Sequence, residues 1–292
     1  MRYAAIDIGS NAVRLLIAEI QQEESDYVFI KDTLIRVPIR LGGDAFVENR
    51  ISDHKAGLLK KAMSAFRNLM DAYEVEDYMA CATSAMRDSS NGPDLVKAIK
   101  DIGIDLQIID GNREAEIIYS SHIIDKLDPK KNYLYIDVGG GSTELSIFEK
   151  SKLTASQSFN IGTIRILDHQ DKSEIWDQMK AWIKSNTINY KSLVGIGSGG
   201  NINKLFSLSG EKPGDLLGVD TLKSLAEMLK SHTVDERIHK LGLKPDRADV
   251  IVPACKIFLN VMKWGRMKEI AVPRIGLVDG IIQSLIDKNL KN

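Results

Sequence analysis

At 292 residues the chain is long enough for about two domains, and its 43% apolar residues can supply a core for each. The 39 basic and 40 acidic side chains leave a formal charge of −1, which excludes the broad positive footprint of a duplex nucleic-acid binder or of a protein drawn to an anionic membrane. A polyanionic ligand would have to be held by a local cluster of donors and by metal ions.

The opening Met1-Arg2-Tyr3-Ala4-Ala5-Ile6 has the beginnings of a secretion signal, but Asp7, Asn11 and Arg14 interrupt the apolar run and no cleavage-like site follows. No apolar stretch is long enough to span a bilayer. Cys81 and Cys255 stand in apolar surroundings without Cys-x-x-Cys or Cys/His spacing, the pattern of buried, reduced thiols. The expectation is a soluble, cytoplasmic protein.

Residues 3–9 and 13–20 read as two strands around a first glycine turn, and Tyr27–Ile30 and Leu34–Ile39 as two more, an antiparallel start to a mixed sheet. Arg40-Leu41-Gly42-Gly43 closes that segment. Ser52 then starts a helix whose Leu58, Leu59, Ala62, Met63, Phe66, Leu69, Met70 and Tyr73 fall at helical spacing. Tyr78–Ala82 is a short buried strand followed by Thr83-Ser84-Ala85-Met86-Arg87, where a helix cap and a ligand-facing crevice over an α/β sheet are compatible readings. Asn91-Gly92-Pro93 opens a helix through Ile102, and Leu106–Ile109 is the next strand. Asp110-Gly111-Asn112-Arg113-Glu114 begins a helix to about Leu127. By composition, Glu114 is readily explained as an acid suited to the helix dipole.

The next stretch is the most informative. Tyr135-Ile136-Asp137-Val138-Gly139-Gly140-Gly141-Ser142-Thr143-Glu144 delivers a carboxylate at a strand end, then three glycines, two hydroxyls and a second carboxylate. Such a turn can bring consecutive N–H groups to one anion, with Asp137 holding a divalent cation directly or through water. An ordinary hairpin with glycines for positive φ is the competing reading, and the flanking Asp, Ser, Thr and Glu argue against it. The N-terminus repeats the theme: Ile6, Asp7, Gly9, Leu15 and Ile17 recur without gaps as Ile136, Asp137, Gly139, Leu145 and Ile147. Two lobes of related architecture follow, each with one phosphate-facing hairpin.

Leu153–Phe159 is a strand ending near Gly162 and Arg165, Ser173–Ile188 an amphipathic helix, and Leu193–Ile196 a strand. Gly197-Ser198-Gly199-Gly200-Asn201 is a third glycine-rich turn entering a helix, and a helix N-terminus behind glycines is an anion site. Helices cover 220–231 and 234–241, Arg247-Ala248-Asp249 begins an apolar helix to Trp264, Glu269–Val272 is a strand, and Gly276-Leu277-Val278-Asp279-Gly280 leads to a terminal helix. Asp128-Pro129-Lys130-Lys131 breaks the pattern between lobes.

These motifs together resemble the exopolyphosphatase / guanosine pentaphosphate phosphohydrolase (Ppx/GppA) family. Ala5–Asn11 with Arg14 resembles its first phosphate loop, Ala82–Arg87 its ATSAxR segment, Gly111–Ala115 its Gly-x-x-Glu-Ala segment and Asp137–Glu144 its second phosphate loop. Gly197–Gly200, Arg247–Asp249 and Gly276-Leu277 follow in the family's order. The resemblance implies an α/β fold of two ribonuclease H-like lobes of the actin-like, sugar-kinase-like ATPase superfamily, with an interlobe cleft. The expected lobes are 1–128 and 129–278, with 279–292 packing back on the first.

The resemblance further implies that Glu114 orients or deprotonates the attacking water, that Arg87 holds a phosphate and that Asp7, Asp137 and Glu144 bind Mg²⁺ or organise phosphate, with K⁺ as a second candidate cation. Gly9, Ser10, Asn11 and Arg14 of the first loop, Gly139, Gly140, Gly141, Ser142 and Thr143 of the second, and Gly197, Ser198, Gly199 and Gly200 of the third would cradle the phosphates. The implied activity is release of terminal orthophosphate from polyphosphate, or of the 5′-phosphate of pppGpp; a superfamily kinase or ATPase and a non-catalytic guanosine polyphosphate sensor are the alternatives. The expected partner is that substrate, without nucleic acid or membrane, and a homodimer is compatible with the family. Two departures stand out: Asn201 replaces a usual threonine, and Val278-Asp279 replaces a basic residue after Gly-Leu. The chain also ends where longer relatives add a helical region that extends the polyphosphate-binding surface.

Overall fold

Strand β1 (Arg2–Ile8) is buried along nearly its whole length because it lies in the middle of a sheet, where both faces are covered and apolar residues run on without alternation. It pairs antiparallel with β2 (Val13–Glu23) and parallel with β4 (Asp77–Ala82). Strand β3 (Asp26–Val37) extends the antiparallel side and β5 (Leu106–Ile108) the parallel side, giving the order β3-β2-β1-β4-β5. The computed structural model describes residues 1–24, 26–121 and 128–291.

The described chain divides into two compact units, Met1–His122 with Gly276–Asn292, and Ile123–Ile275. In the first, α2 (Asp53–Ala72) is started by Ser52, whose side chain accepts from the Lys55 N–H, and it buries Leu59, Met63, Phe66 and Met70. Helix α5 (Gly111–Tyr119) is capped by Asp110, which accepts from the Arg113 N–H at 2.8 Å. The terminal helix α13 (Leu277–Leu290) belongs to this unit: Asn289 donates to Asp77 at the start of β4 at 2.8 Å, and Gly280 lets the helix backbone touch Ile117 of α5.

The second unit repeats the first. Strands β6 (Asn132–Val138), β7 (Thr143–Glu149) and β8 (Lys152–Phe159) form the antiparallel side, and β9 (Val194–Ser198) lies parallel to β6. Strands β11 (Glu269–Ala271) and β10 (Leu216–Gly218) complete the order β10-β11-β9-β6-β7-β8. The correspondence reaches the irregularities. The register between the second and third strands slips at Ile17/Ala18 in one sheet and at Ile147/Phe148 in the other, the same number of residues beyond each aspartate. A core of Leu134, Ile136, Leu145, Phe206 and Phe258 lies between this sheet and helices that include α7 (Ser173–Thr187), α8 (Gly200–Ser209) and α12 (Ile251–Trp264).

Several local expectations are corrected. Tyr27–Ile30 and Leu34–Ile39 are not two strands but parts of β3, whose long pairing with β2 absorbs the break through the slip. Arg40–Gly43 does not merely end the sheet; α1 (Gly42–Glu48) starts there, with Arg40 in the left-handed region at φ 57°. The helix expected from Arg247 is split into α11 (Pro245–Ala248) and α12, since a proline at position 253 lacks an N–H and suits only a first turn. Helix α5 ends at Tyr119; the rest of its expected span, 122–127, lies outside the described residues.

Candidate active site

Each unit presents its loop at the same point, the tip between its first two strands. In the first, Asp7 on β1 is the cross-strand partner of Arg14 on β2, and the Gly9 N–H donates to the Ala12 carbonyl at 3.2 Å. In the second, Asp137 is the partner of Glu144, and the Gly139 N–H donates to the Ser142 carbonyl at 3.0 Å. Positive φ is not what these glycines supply: among the described residues Gly9, Gly139, Gly140 and Gly141 all keep φ out of the left-handed region. Close approach is. A Cβ on Gly9 would lie 3.1 Å from the Ala12 oxygen, and one on Gly139 would lie 3.2 Å from that of Ser142.

Both tips are also tied down by the segment that follows the third strand. The Arg40 and Gly42 N–H groups donate to the Asn11 and Ser10 carbonyls at 3.0 and 2.8 Å. In the second unit the Thr163 and Ile164 N–H groups donate to the Gly139 and Gly140 carbonyls at 3.1 and 2.8 Å, and Arg165 Nε donates to the Gly141 carbonyl at 2.7 Å. Gly162 runs so close to Gly140 and Gly141 that no side chain fits there.

In the first unit, Arg14 Nη1 pairs with the buried Asp7 carboxylate at 2.5 Å. Ser10 and Ser84 share a hydrogen bond of 2.9 Å between their hydroxyls, which joins the loop to α3 (Ser84–Arg87). Arg87 Nη1 donates to the Ile109 carbonyl at 2.9 Å, so its guanidinium lies against the chain that leads into α5. Glu114, in the first turn of α5, is 8% exposed. Burial pushes the Cys81 thiol up to about 12, and the negative charges of Asp7 and Glu114 add to that rise while Arg113 opposes it. Asp7 and Glu114 thus act on one buried thiol from two different elements, β1 and α5.

In the second unit, Glu144 is 3% exposed and its Oε1 accepts from the Ser158 hydroxyl at 2.8 Å. Opposed residues of an antiparallel pair share a face, so the Asp137 and Glu144 carboxylates project from the same side of the sheet. The Gly199–Gly200 turn closes on them: Gly199 has φ +99°, and a Cβ there would lie 3.3 Å from Asp137 Oδ1. Two predicted phosphate ligands have their hydroxyl hydrogens committed elsewhere. Thr143 Oγ1 donates to the Ile161 carbonyl at 2.6 Å and Ser198 Oγ to that of Ile275 at 2.9 Å.

Sequence reasoning left out of its ligand set three arginines that the fold brings to these loops. Arg40 stands behind the first tip and Arg165 behind the second. Arg247 lies against Gly200 at the start of α8, its Nη2 2.6 Å from where a Cβ would be. The signal was there for Arg165, beside a glycine turn, and for Arg247, in its Arg-Ala-Asp motif; nothing local marks Arg40. Asp279, the departure from a basic residue, proves to be structural. It accepts from the Gly276 N–H at 2.9 Å at the head of α13 and pairs with Lys31 at 2.5 Å.

Among the described residues no group of three or more His, Cys, Asp or Glu side chains is placed to hold a metal ion. The donor set in the second unit is a pair of carboxylates, which fits Mg²⁺, a hard cation that takes one or two carboxylates and completes its shell with water and phosphate oxygens.

A model of the Ppx/GppA phosphatase family matches residues 30–289. The chain belongs to the Ppx/GppA phosphatase family. The matched span starts after the first loop, which the repeated register of β1–β2 and β6–β7 relates to Asp137–Glu144. The chain is 31% identical over 199 residues to a bifunctional 3-dehydroquinate synthase/phosphatase of Fusobacterium nucleatum, covering 63% of this chain and 30% of that protein. It is 25% identical over 305 residues to a guanosine-5′-triphosphate,3′-diphosphate pyrophosphatase of Photobacterium profundum, covering 98% and 59%. It therefore spans between about three-tenths and six-tenths of these curated relatives.

Two solved structures extend over nearly the whole chain. An exopolyphosphatase from Cytophaga hutchinsonii superposes with a TM-score of 0.85 at 25% identity, covering 99% of this chain and 98% of that one. A family member from Aquifex aeolicus gives 0.77 at 24%, covering 99% of both. The two mixed sheets are those of the actin-like ATPase fold. No helix among the described residues is long and apolar enough to cross a membrane.

Proposed function

We propose that this family member is a hydrolase of phosphoanhydrides that releases terminal orthophosphate from inorganic polyphosphate, with the 5′-phosphate of pppGpp as the second substrate. The observation that carries the reading is the duplication of one aspartate-bearing, glycine-tipped hairpin, tied down in the same way in both units, within a chain of this phosphatase family. The pppGpp arm is supported by the pyrophosphatase relative, whose similarity runs over 98% of the chain.

The reading gives each loop a phosphate-binding role. Glycine tips let backbone donors approach the phosphate oxygens, and Arg87, Arg14 and Arg247 supply positive charge. Asp137 and Glu144 would hold Mg²⁺ at the second loop, and Asp7, already paired to Arg14, would organise phosphate at the first. When bound, the cation neutralises charge on the phosphate oxygens. Glu114 accepts a proton from the attacking water as its oxygen bonds to the terminal phosphorus; the P–O bond to the next phosphate breaks, and the shortened chain leaves with the negative charge on its oxygen. Burial of Glu114 suits a base, because it keeps bulk water from competing for the carboxylate.

The test is phosphate release from tripolyphosphate, long-chain polyphosphate, pppGpp and ATP, with and without Mg²⁺. Release from polyphosphate or pppGpp is expected; phosphate transfer to an acceptor with no free release would favour a superfamily kinase, and tight guanosine polyphosphate binding without turnover a sensor. Glu114→Gln should abolish turnover while substrate binding persists, and wild-type rates in that variant would remove the base from Glu114.

A further inference from the structure

Two grooves flank the turn after α7, and both are basic. One, of about 510 Å³, is lined by Lys180, Lys184, Lys263 and Arg266 together with Thr187, Ile188 and Trp264, and by no carboxylate. The other, of about 620 Å³, places Lys130, Lys131 and Lys191 against a single acid, Glu149, whose Oε2 accepts from the Tyr190 hydroxyl at 3.4 Å. The whole chain carries 39 bases and 40 acids, so seven cations facing one carboxylate are a local concentration and not a reflection of composition. Among the described residues none of these six lysines makes an ion pair.

Topology puts this belt at the end of the second unit away from its loops. The last turns of α7 and α12 and the first residue of β6 line it, whereas the second loop follows the last residue of β6. The seven residues of β6, at about 3.3 Å each, separate the two by roughly 20 Å.

We propose that this belt is a tether for the distal part of a polyphosphate chain whose end is engaged at the second loop, an inference that rests on polyphosphate being the substrate. The side chains favour a phosphate polymer over a single-stranded nucleic acid. Lysine is a mobile point charge suited to a uniform string of anions. Arg266, the one guanidinium, donates to the Thr187 and Ile188 carbonyls at 2.9 and 3.4 Å and so caps α7. Base stacking needs an open ring face, but Trp264 is half-buried, with its ring edge-on to Trp176, and Tyr190 is half-buried too. A chain that reaches both places gains a second attachment at high effective concentration, whereas tripolyphosphate is too short to gain one.

The experiment measures binding of long-chain polyphosphate, tripolyphosphate and single-stranded RNA to the full chain across a range of salt. The wild type is compared with the triple variant Lys180→Gln, Lys184→Gln, Lys263→Gln, which keeps the apolar stems of two exposed lysines and of the half-buried Lys180. Long-chain affinity should fall by about tenfold or more, with the log–log salt slope reduced by about 2 and tripolyphosphate binding unchanged. A matching charge-reversal set, Lys180→Glu with Lys184→Glu, should deepen the loss. Unchanged long-chain affinity and slope overturn the tether, as does an equal loss for tripolyphosphate; RNA bound as tightly as polyphosphate and lost in parallel overturns the ligand. Because binding needs no turnover, a wild type that releases no phosphate would sink the hydrolase reading while these slopes still decide the tether.

Discussion

Arg14 and Glu144 occupy the same place in two copies of one hairpin and carry opposite charge. Each stands across the ladder from an aspartate, Arg14 from Asp7 and Glu144 from Asp137. The first pair sets an aspartate against an arginine at 2.5 Å, while the second sets two carboxylates on one face of the sheet. Two carboxylates on one face are the better donor set for a hard divalent cation than an aspartate already held by an arginine.

Metal dependence should follow that asymmetry. Asp137→Asn or Glu144→Gln should raise the Mg²⁺ concentration needed for half-maximal activity by about tenfold or more. Asp7→Asn should shift it less and weaken substrate binding through a loosened Arg14. Mg²⁺ titrations of activity on the three variants check the order, and equal shifts in all three would contradict it.

Arg14→Ala leaves the buried Asp7 carboxylate without the partner seen at 2.5 Å. Complete burial of both groups would make that loss cost about 3–5 kcal/mol, but the Arg14 side chain is 32% exposed. Solvent screening brings the expected cost to roughly 1–2 kcal/mol. Urea unfolding of the variant against the wild type measures it.

Glycine at position 162 is required by closeness and not by φ, since the chain there passes against the Gly140 and Gly141 backbone. Gly162→Ala should push the second tip outward and cost about 1–3 kcal/mol, whereas Gly57→Ala on α2, with nothing within 4 Å, should be neutral or slightly stabilising. Thermal unfolding separates the two.

Cys81 reports on its two acidic neighbours. With its thiol pushed up to about 12 by burial and then by Asp7 and Glu114, it should resist alkylation at neutral pH in the native protein and react on unfolding. Removing either negative charge stabilises the thiolate, so Glu114→Gln should lower the thiol's pKa and leave it elevated by burial. The pH dependence of thiol modification, read by mass, gives the sign.

Restoring a basic residue at position 279 should harm the fold. Asp279 caps α13 and pairs with Lys31, whose side chain is 42% exposed, so Asp279→Arg would remove the cap and set a second cation beside Lys31 at a cost of roughly 2 kcal/mol. Asp279→Asn, which keeps an acceptor for the Gly276 N–H, should cost about 1 kcal/mol. Chemical denaturation of both variants tests the ranking.

Much of the molecule could be read from local chemistry. The apolar run of β1, the Ser52 and Asp110 caps and the glycine tips are short-range features, and the matching of Ile6–Ile17 to Ile136–Ile147 announced the duplication before any contact was known. Local reading failed where the deciding partner is distant in sequence. The long pairing of β3 with β2 merged two apparent strands, and nothing near Arg40 says that its N–H will hold the Asn11 carbonyl.

By itself the sequence determined which residues could form two aspartate-bearing glycine hairpins, because a turn and its flanking strands are encoded within a dozen neighbouring residues. Only the tertiary structure decided what each hairpin is tied to: Arg165 to Gly141, Arg247 against Gly200, Ser158 to Glu144, Asp7 and Glu114 around Cys81. Those contacts depend on strand order and register, which are set by burying both faces of each sheet at once and not by the preferences of any one segment.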